Sequence, residues 1–188
     1  MDDIVLQAMA KWPNVPAVYG WLRLDRRGHW WIREERLSHA GLAEFIGRNY
    51  ARAENGDYYF QNGPQKVFVE LESTPWIYRL ADGVWPPAFV AHDGQPISPH
   101  RAVIDDDGRL YLVSEQGLGV VDERDLVGVM EHLRDGEGRI LEGEQLAAWM
   151  DGSGQTIYLH TRGGMLDIEY APAAALPVRY GFNTKPVA

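Results

Sequence analysis

The sequence predicts an α+β fold of two tandem, structurally similar units, each hairpin-helix-hairpin, with mainly antiparallel sheets packed on each other. Three observations lead there. Residues 57–76, DYYFQNGPQKVFVELESTPW, read as two alternating strands around an Asn-Gly turn. Residues 155–174, QTIYLHTRGGMLDIEYAPAA, repeat that rhythm with a turn again built on Gly. Asp25 to Gly28 and Asp105 to Gly108 write the same hairpin turn 80 positions apart, and an amphipathic helix follows each. A half of this size closes a core poorly by itself, so the two halves are expected to rest on one another. The expected division is 1–82, a Pro/Gly-rich linker or crossover at 83–100, and 101–188.

Each element has its local reason. DDIVLQAMAKWP at 2–13 places Ile4, Val5, Ala8, Met9 and Trp12 near one helical face; acids open it and Pro13 ends it. AVYGWLRLDRRGHWWIRE at 17–34 is a hairpin whose turn runs from Asp25 to Gly28. Trp30 and Trp31 must point to opposite faces of their strand, one into the core and one outward. SHAGLAEFIGRNY at 38–50 is a helix with Ser38 as N-cap and Leu42, Phe45, Ile46 and Tyr50 as its buried stripe.

After the 57–72 hairpin, PWIYRL adds a short strand beyond Pro75. ADGVWPPAFVAHDGQPISPH at 81–100 then breaks the pattern, with Trp85 and Phe89 packing down. RAVIDDDGRLYLV is the second hairpin. DERDLVGVMEHL is its helix, with Asp122 as N-cap and Asp125 at N3 in a relative of the capping box. GRILEGEQLAAWMDG at 138–152 is an insertion carrying one more helix, and Pro172 echoes Pro75.

One stretch also resembles a known family. GHWWIREERLSHAGLAEFIGRNYARAENGDYYFQNGPQKVFVELESTPW is similar to the amino-terminal region of the bacterial domain-of-unknown-function family 1285. The resemblance rests on Gly28, Trp30, Trp31, Asp57, Tyr59, Lys66, Val67, Val69, Glu70, Pro75 and Trp76 and covers about residues 20 to 80. It implies a fold of repeated motifs and a part in signal transduction, and it brings no catalytic residues. The sequence departs from the family where QNGPQ stands in place of a TPVE stretch.

Bulk properties narrow the function classes. The 188 residues are 45% hydrophobic and 11% aromatic, ample for a core. With 18 Lys+Arg against 27 Asp+Glu the formal charge is −9, which disfavours nucleic acid and anionic membrane surfaces. The nearest thing to a basic patch, Arg23, Arg26 and Arg27, reads as a solvated turn. There is no Cys, so disulfides, thiolate zinc sites and a Cys nucleophile are excluded. An acidic amino terminus without a secretory signal, and no apolar run of spanning length, make cytoplasmic the expected location.

The chemistry-bearing residues form no recognisable site. His92, Asp93 and His100, followed by Asp105, Asp106 and Asp107, are the best metal candidate. Gly94 and Pro96 forbid the helix a His-Asp metal pair needs, and DDDG reads as a hairpin turn, so no metal and no cofactor is expected. No GxSxG or phosphate loop occurs, and Gly152-Ser153-Gly154 reads as a turn. Glu70 with Glu72, and Asp167 with Glu169, share strand faces at i and i+2, but alternation puts both pairs toward solvent. No catalytic residue is assigned.

Seven Trp and nine Tyr exceed what a core of this size encloses, as at ligand clefts and interfaces. Trp31, Lys66, Trp76, Tyr78 and Arg79 are the ligand-binding candidates, near the expected meeting of the two units. The sequence therefore reads as a non-enzymatic module binding a small ligand or a protein partner, with a part in signalling. Two alternatives stay open: an enzyme with His29, His92 or His100 beside a carboxylate, and a structural homodimer subunit.

Overall fold

A computed structural model describes residues 1–81, 83, 86–152 and 155–188. The chain is α+β and resolves into two compact units, Met1–Pro75 with Pro177–Ala188, and Trp76–Leu176. The first unit holds α1 (Asp3–Lys11), β1 (Val18–Leu24), β2 (Trp30–Ile32), β3 (Glu35–Arg36), α2 (Ala40–Arg48), β4 (Tyr50–Arg52), β5 (Tyr58–Asn62) and β6 (Gln65–Leu71). The second begins with β7 (Trp76–Leu80), β8 (Phe89–Ala91), β9 (Pro96–Ile97), β10 (Arg101–Ile104), β11 (Leu110–Ser114) and β12 (Gly117–Val121). It continues with α3 (Glu123–Met130), β13 (Leu133–Arg134), α4 (Gly143–Met150), β14 (Tyr158–Thr161) and β15 (Gly164–Tyr170). A 3-10 turn at Ala173–Ala175 and α5 (Leu176–Tyr180) follow.

The repeat is visible in strand order. The first sheet runs β3-β2-β1-β6-β5-β4. Within the second, β12-β11-β10-β15-β14-β13 has the same order, with β7-β8-β9 added beyond β12. Each unit joins its two hairpins through one parallel pair, β1 with β6 and β10 with β15. The helices also correspond, α2 between β3 and β4, α3 between β12 and β13, and α4 is the insertion.

The two hairpin turns work alike because both start on a buried aspartate. The Asp25 carboxylate accepts the N–H groups of Arg27 and His29, both at 2.9 Å, and the Trp31 indole N–H at 2.8 Å. Asp105 accepts the N–H groups of Asp107 at 2.9 Å and Arg109 at 2.8 Å, and the Tyr111 hydroxyl at 2.7 Å. Gly28 and Gly108 take φ of 80° and 74°, which a side chain resists. Burial opposes ionisation of Asp25, yet the donors of Trp31, His29 and Arg27 outweigh it and hold the carboxyl below its usual range. Asp135 repeats the device, accepting from Glu137 N at 2.9 Å and Arg139 N at 3.0 Å.

The first core lies between α2 and one face of its sheet. Leu22, Leu24, Trp30, Ile46, Tyr58, Phe60, Val69 and Leu71 are buried there. The Phe45 ring meets Phe60 edge-on at 5.5 Å, and Trp30 meets Tyr50 at 5.3 Å.

Several local expectations change. The N-cap of α2 is His39, whose Nδ1 accepts from Leu42 N at 3.1 Å, rather than Ser38. Asp122 does cap α3, through Arg124 N at 2.9 Å. Asp125, however, turns from the helix to accept Leu80 N at 3.0 Å and the Arg79 guanidinium. Much of the 83–100 stretch is sheet: β8 and β9 pair in succession beyond β7, and Phe89 is buried. Trp85, Ser153 and Gly154 lie outside the described residues.

Two pieces of chain complete units distant in sequence. β7 was expected with the amino-terminal hairpins, but it pairs in parallel with β12 and uses that strand's otherwise open edge. Residues 177–188 close the first unit. There Leu71 N donates to Thr184 O at 2.8 Å, Asn183 N to Gly56 O at 3.1 Å, and the Arg52 guanidinium to Gly181 O at 2.5 Å.

Candidate functional site

Alternation along β1 sends Leu22 and Leu24 into the first core, so Trp21 and Arg23 must face the other way. That outer face carries an aromatic strip, with Tyr19 stacked on Phe68 at 4.6 Å and the Lys66 ammonium 4.6 Å over the Tyr59 ring.

Beside the strip β1 departs from regular pairing. Val18 opposes Val67 and Leu22 opposes Val69, so β1 spends four steps where β6 spends two. The excess forms a bulge around Gly20, whose φ is 71°. The bulge lifts Trp21, leaving this indole 47% exposed. Across from it, Arg33 in the β2-β3 turn donates its N–H to Trp21 O at 2.9 Å. Arg33 has φ of 53° and is, among the described residues, the one non-glycine with positive φ. Such a conformation costs on the order of 1–3 kcal/mol and persists only where the surroundings impose it. Its guanidinium lies over the Trp21 ring, 3.7 Å from the centroid.

Bulge and turn border an open cleft of about 470 Å³ lined by Gly20, Trp21, Leu22, Arg23, Arg33, Glu34 and Glu70. The volume falls in the range of small-molecule sites. Arg23 is already engaged: its guanidinium sits 4.7 Å over the Trp31 ring and pairs with Glu72 at 3.4 Å.

The five residues singled out from sequence divide between the units. Trp31, half-buried on β2, spends its N–H on Asp25 and its ring on Arg23, at the flank of the cleft. Lys66 belongs to the aromatic strip. Trp76, Tyr78 and Arg79 stand on β7 in the second unit. The Trp76 indole donates to Gln116 O at 2.8 Å. Tyr78 is fully buried, its hydroxyl 3.0 Å from both Ser114 Oγ and Gly117 O. The Arg79 guanidinium is held by Asp125 at 2.5 Å, which raises its pKa. Tyr78 and Arg79 thus fasten β7 to β11, β12 and α3.

Sequence reasoning missed Trp21 and Arg33. Two signals were present: an isolated Gly inside a strand marks a bulge, and IREER holds a tight turn with neither Gly nor Asn.

Two of the histidines singled out from sequence have defined surroundings. Among the described residues no group of three or more His, Asp or Glu could hold a metal ion. His29 Nδ1 lies 3.1 Å from Asp25 Oδ2, inside the hairpin turn. His92 is half-buried with its ring 5.4 Å from Trp76, and desolvation of the imidazole lowers its pKa to about 4. A folded-state pKa below the unfolded value near 6.5 means that the unfolded chain binds the proton first. Stability is therefore expected to decline as pH falls from about 6.5 toward 4. Over that window His92→Gln should flatten the urea-midpoint profile by an amount corresponding to roughly 3 kcal/mol. His132, lowered by its own desolvation, contributes in the same direction and remains in both proteins. Parallel profiles would refute the assignment to His92.

One comparison with solved structures bears on the fold. The chain is similar to a DUF1285 family protein from Silicibacter pomeroyi DSS-3, with 14% identity and a TM-score of 0.54 over 89% of this chain and 94% of that one. A DUF1285 family protein from Shewanella baltica OS155 matches at 17% identity, covering 58% of this chain and 89% of that one, with a TM-score of 0.45. No curated protein matches the sequence. The repeat-built fold foreseen from residues 20–80 is thus shared with a DUF1285 protein, while the family model that matches is a different one. It spans residues 1–187, and the chain belongs to that family, DUF2944, described as "Protein of unknown function (DUF2946)".

Proposed function

We propose that the protein is a binding module whose ligand site is the cleft at the β1 bulge, and that it holds its ligand without transforming it. One observation carries this reading. A bulge at Gly20 and a strained backbone at Arg33 converge to seat a guanidinium on a half-exposed tryptophan. The two-residue β2-β3 turn requires a positive φ at Arg33, but the position carries an arginine where glycine would be free of strain, and strain kept at one cleft supports a functional reading. The lining supplies indole, guanidinium and carboxylate groups, a set suited to recognising a charged ligand. A sensing part in signalling extends the same reading, in line with the role suggested for DUF1285 proteins.

The test is a metabolite library followed by nitrogen-proton correlation spectra, with the Trp21 indole resonance assigned through Trp21→Phe. A true ligand shifts that resonance, and at 100 times its Kd stabilises the fold by about 2.7 kcal/mol. A library that leaves the Trp21 resonance unmoved overturns the proposal. Arg33→Gly supplies a second check. It relieves the left-handed φ, so stability is expected to rise by about 1 kcal/mol while ligand binding is lost. A variant that is more stable and still binds would remove Arg33 from the site.

A further inference from the structure

We infer that the cleft recognises a zwitterionic small molecule, a carboxylate and an ammonium on one short skeleton, as in an α-amino acid. The inference rests on the binding reading above and adds the ligand's charge pattern. Stacking commits the face of the Arg33 guanidinium to Trp21, but its N–H donors lie in the guanidinium plane and stay available at the edge. Among the described residues Arg33 makes no ion pair, so one positive pole in the cleft awaits an anion. A planar fork beside an apolar ring is the geometry that takes a carboxylate by two hydrogen bonds.

The cleft also has a negative pole. Glu70 stands opposite Arg23 in the β1-β6 register, yet the Arg23 guanidinium goes to Glu72 and the Trp31 ring. Glu70 is left with no cation partner among the described residues, and so is Glu34, next in the chain to Arg33. An anionic ligand would meet Arg33 but face two carboxylates; a cationic one would meet the carboxylates but face Arg33. A ligand carrying both charges satisfies each pole and leaves none opposed. Its aliphatic or aromatic part has the exposed portion of Trp21 to lie against.

The experiment titrates the full chain with the twenty proteinogenic amino acids, with acetate as the anion alone and putrescine as the cation alone. The Trp21 indole resonance is the readout. At least one amino acid is expected to bind, and acetate and putrescine each at least tenfold more weakly. Arg33→Gln and Glu70→Gln should each weaken that amino acid at least tenfold, whereas Asp151→Asn, an exposed charge in the other unit, should change affinity less than twofold. Dispersed spectra of the variants establish that they fold. If acetate or putrescine binds as tightly as every amino acid, or if Arg33→Gln and Glu70→Gln bind normally, the inference is overturned. If no amino acid moves Trp21 while another library compound does, the inference falls and the binding reading stands. If nothing moves it, both fall.

Discussion

Gly119→Ala is expected to destabilise the protein by about 3 kcal/mol, read as a lowered urea midpoint. The residue sits in β12 with the Tyr78 ring lying across it, so an added methyl group would fall within the ring's own atoms. The backbone has nowhere to go, because β11 and β7 bond β12 from both sides. Tyr78 must therefore move, which breaks its hydroxyl contacts with Ser114 and Gly117 and reopens a fully buried position. Leaving such groups unpaired costs about 1–3 kcal/mol in addition to the packing loss. Tyr78→Leu in the Gly119→Ala background should recover part of the loss, giving a large coupling energy in the double-mutant cycle. Independent effects of the two substitutions would show that the ring does not hold β7 in this way.

Gly56→Ala is expected to cost about 3 kcal/mol as well, with a different signature. Its φ is 91°, and a Cβ there would stand 2.5 Å from the Gly181 carbonyl oxygen. The left-handed conformation accounts for roughly 1–2 kcal/mol of the cost. Collision with backbone accounts for the rest, since Gly181 is fixed by Arg52 and Asn183 by Gly56 and Asp57. Gly94→Ala separates the two contributions. Its φ is 84° and a Cβ there meets nothing within 4 Å, so only the conformational part should be lost. Limited proteolysis gives the second readout: Gly56→Ala should release residues 181–188 to cleavage, and Gly94→Ala should not. Equal protection of that segment in both variants would contradict its role in closing the first unit.

These two glycines show where reading along the chain stops. Gly28 and Gly108 are readable because the partner of each turn is the aspartate three residues before it. Gly56 and Gly119 look no different on the page. What makes them necessary is an atom that arrives from Gly181 in one case and from Tyr78 in the other. The candidate site divides along the same line. That Trp21 and Arg23 face away from the core follows from alternation alone. That Arg33 bends back over Trp21 depends on a bulge whose size is set by the register of β1 against β6, strands more than forty residues apart. The candidates drawn from sequence clustered around Pro75 because aromatics were counted by proximity in the chain. Tyr78 then proved to be a core residue and Arg79 a link to α3.

By itself the sequence determined the α+β class, the duplicated order of hairpin, helix and hairpin, and the aspartate turns. All of these depend on periodicity and on hydrogen bonds that close within a few residues. Only the tertiary structure decided which unit β7 and residues 177–188 complete, and where the sheet departs from regular pairing to open a cleft. Those outcomes depend on which strand edge is free to accept a distant segment and on where two registers disagree. Neither quantity exists until the strands lie side by side.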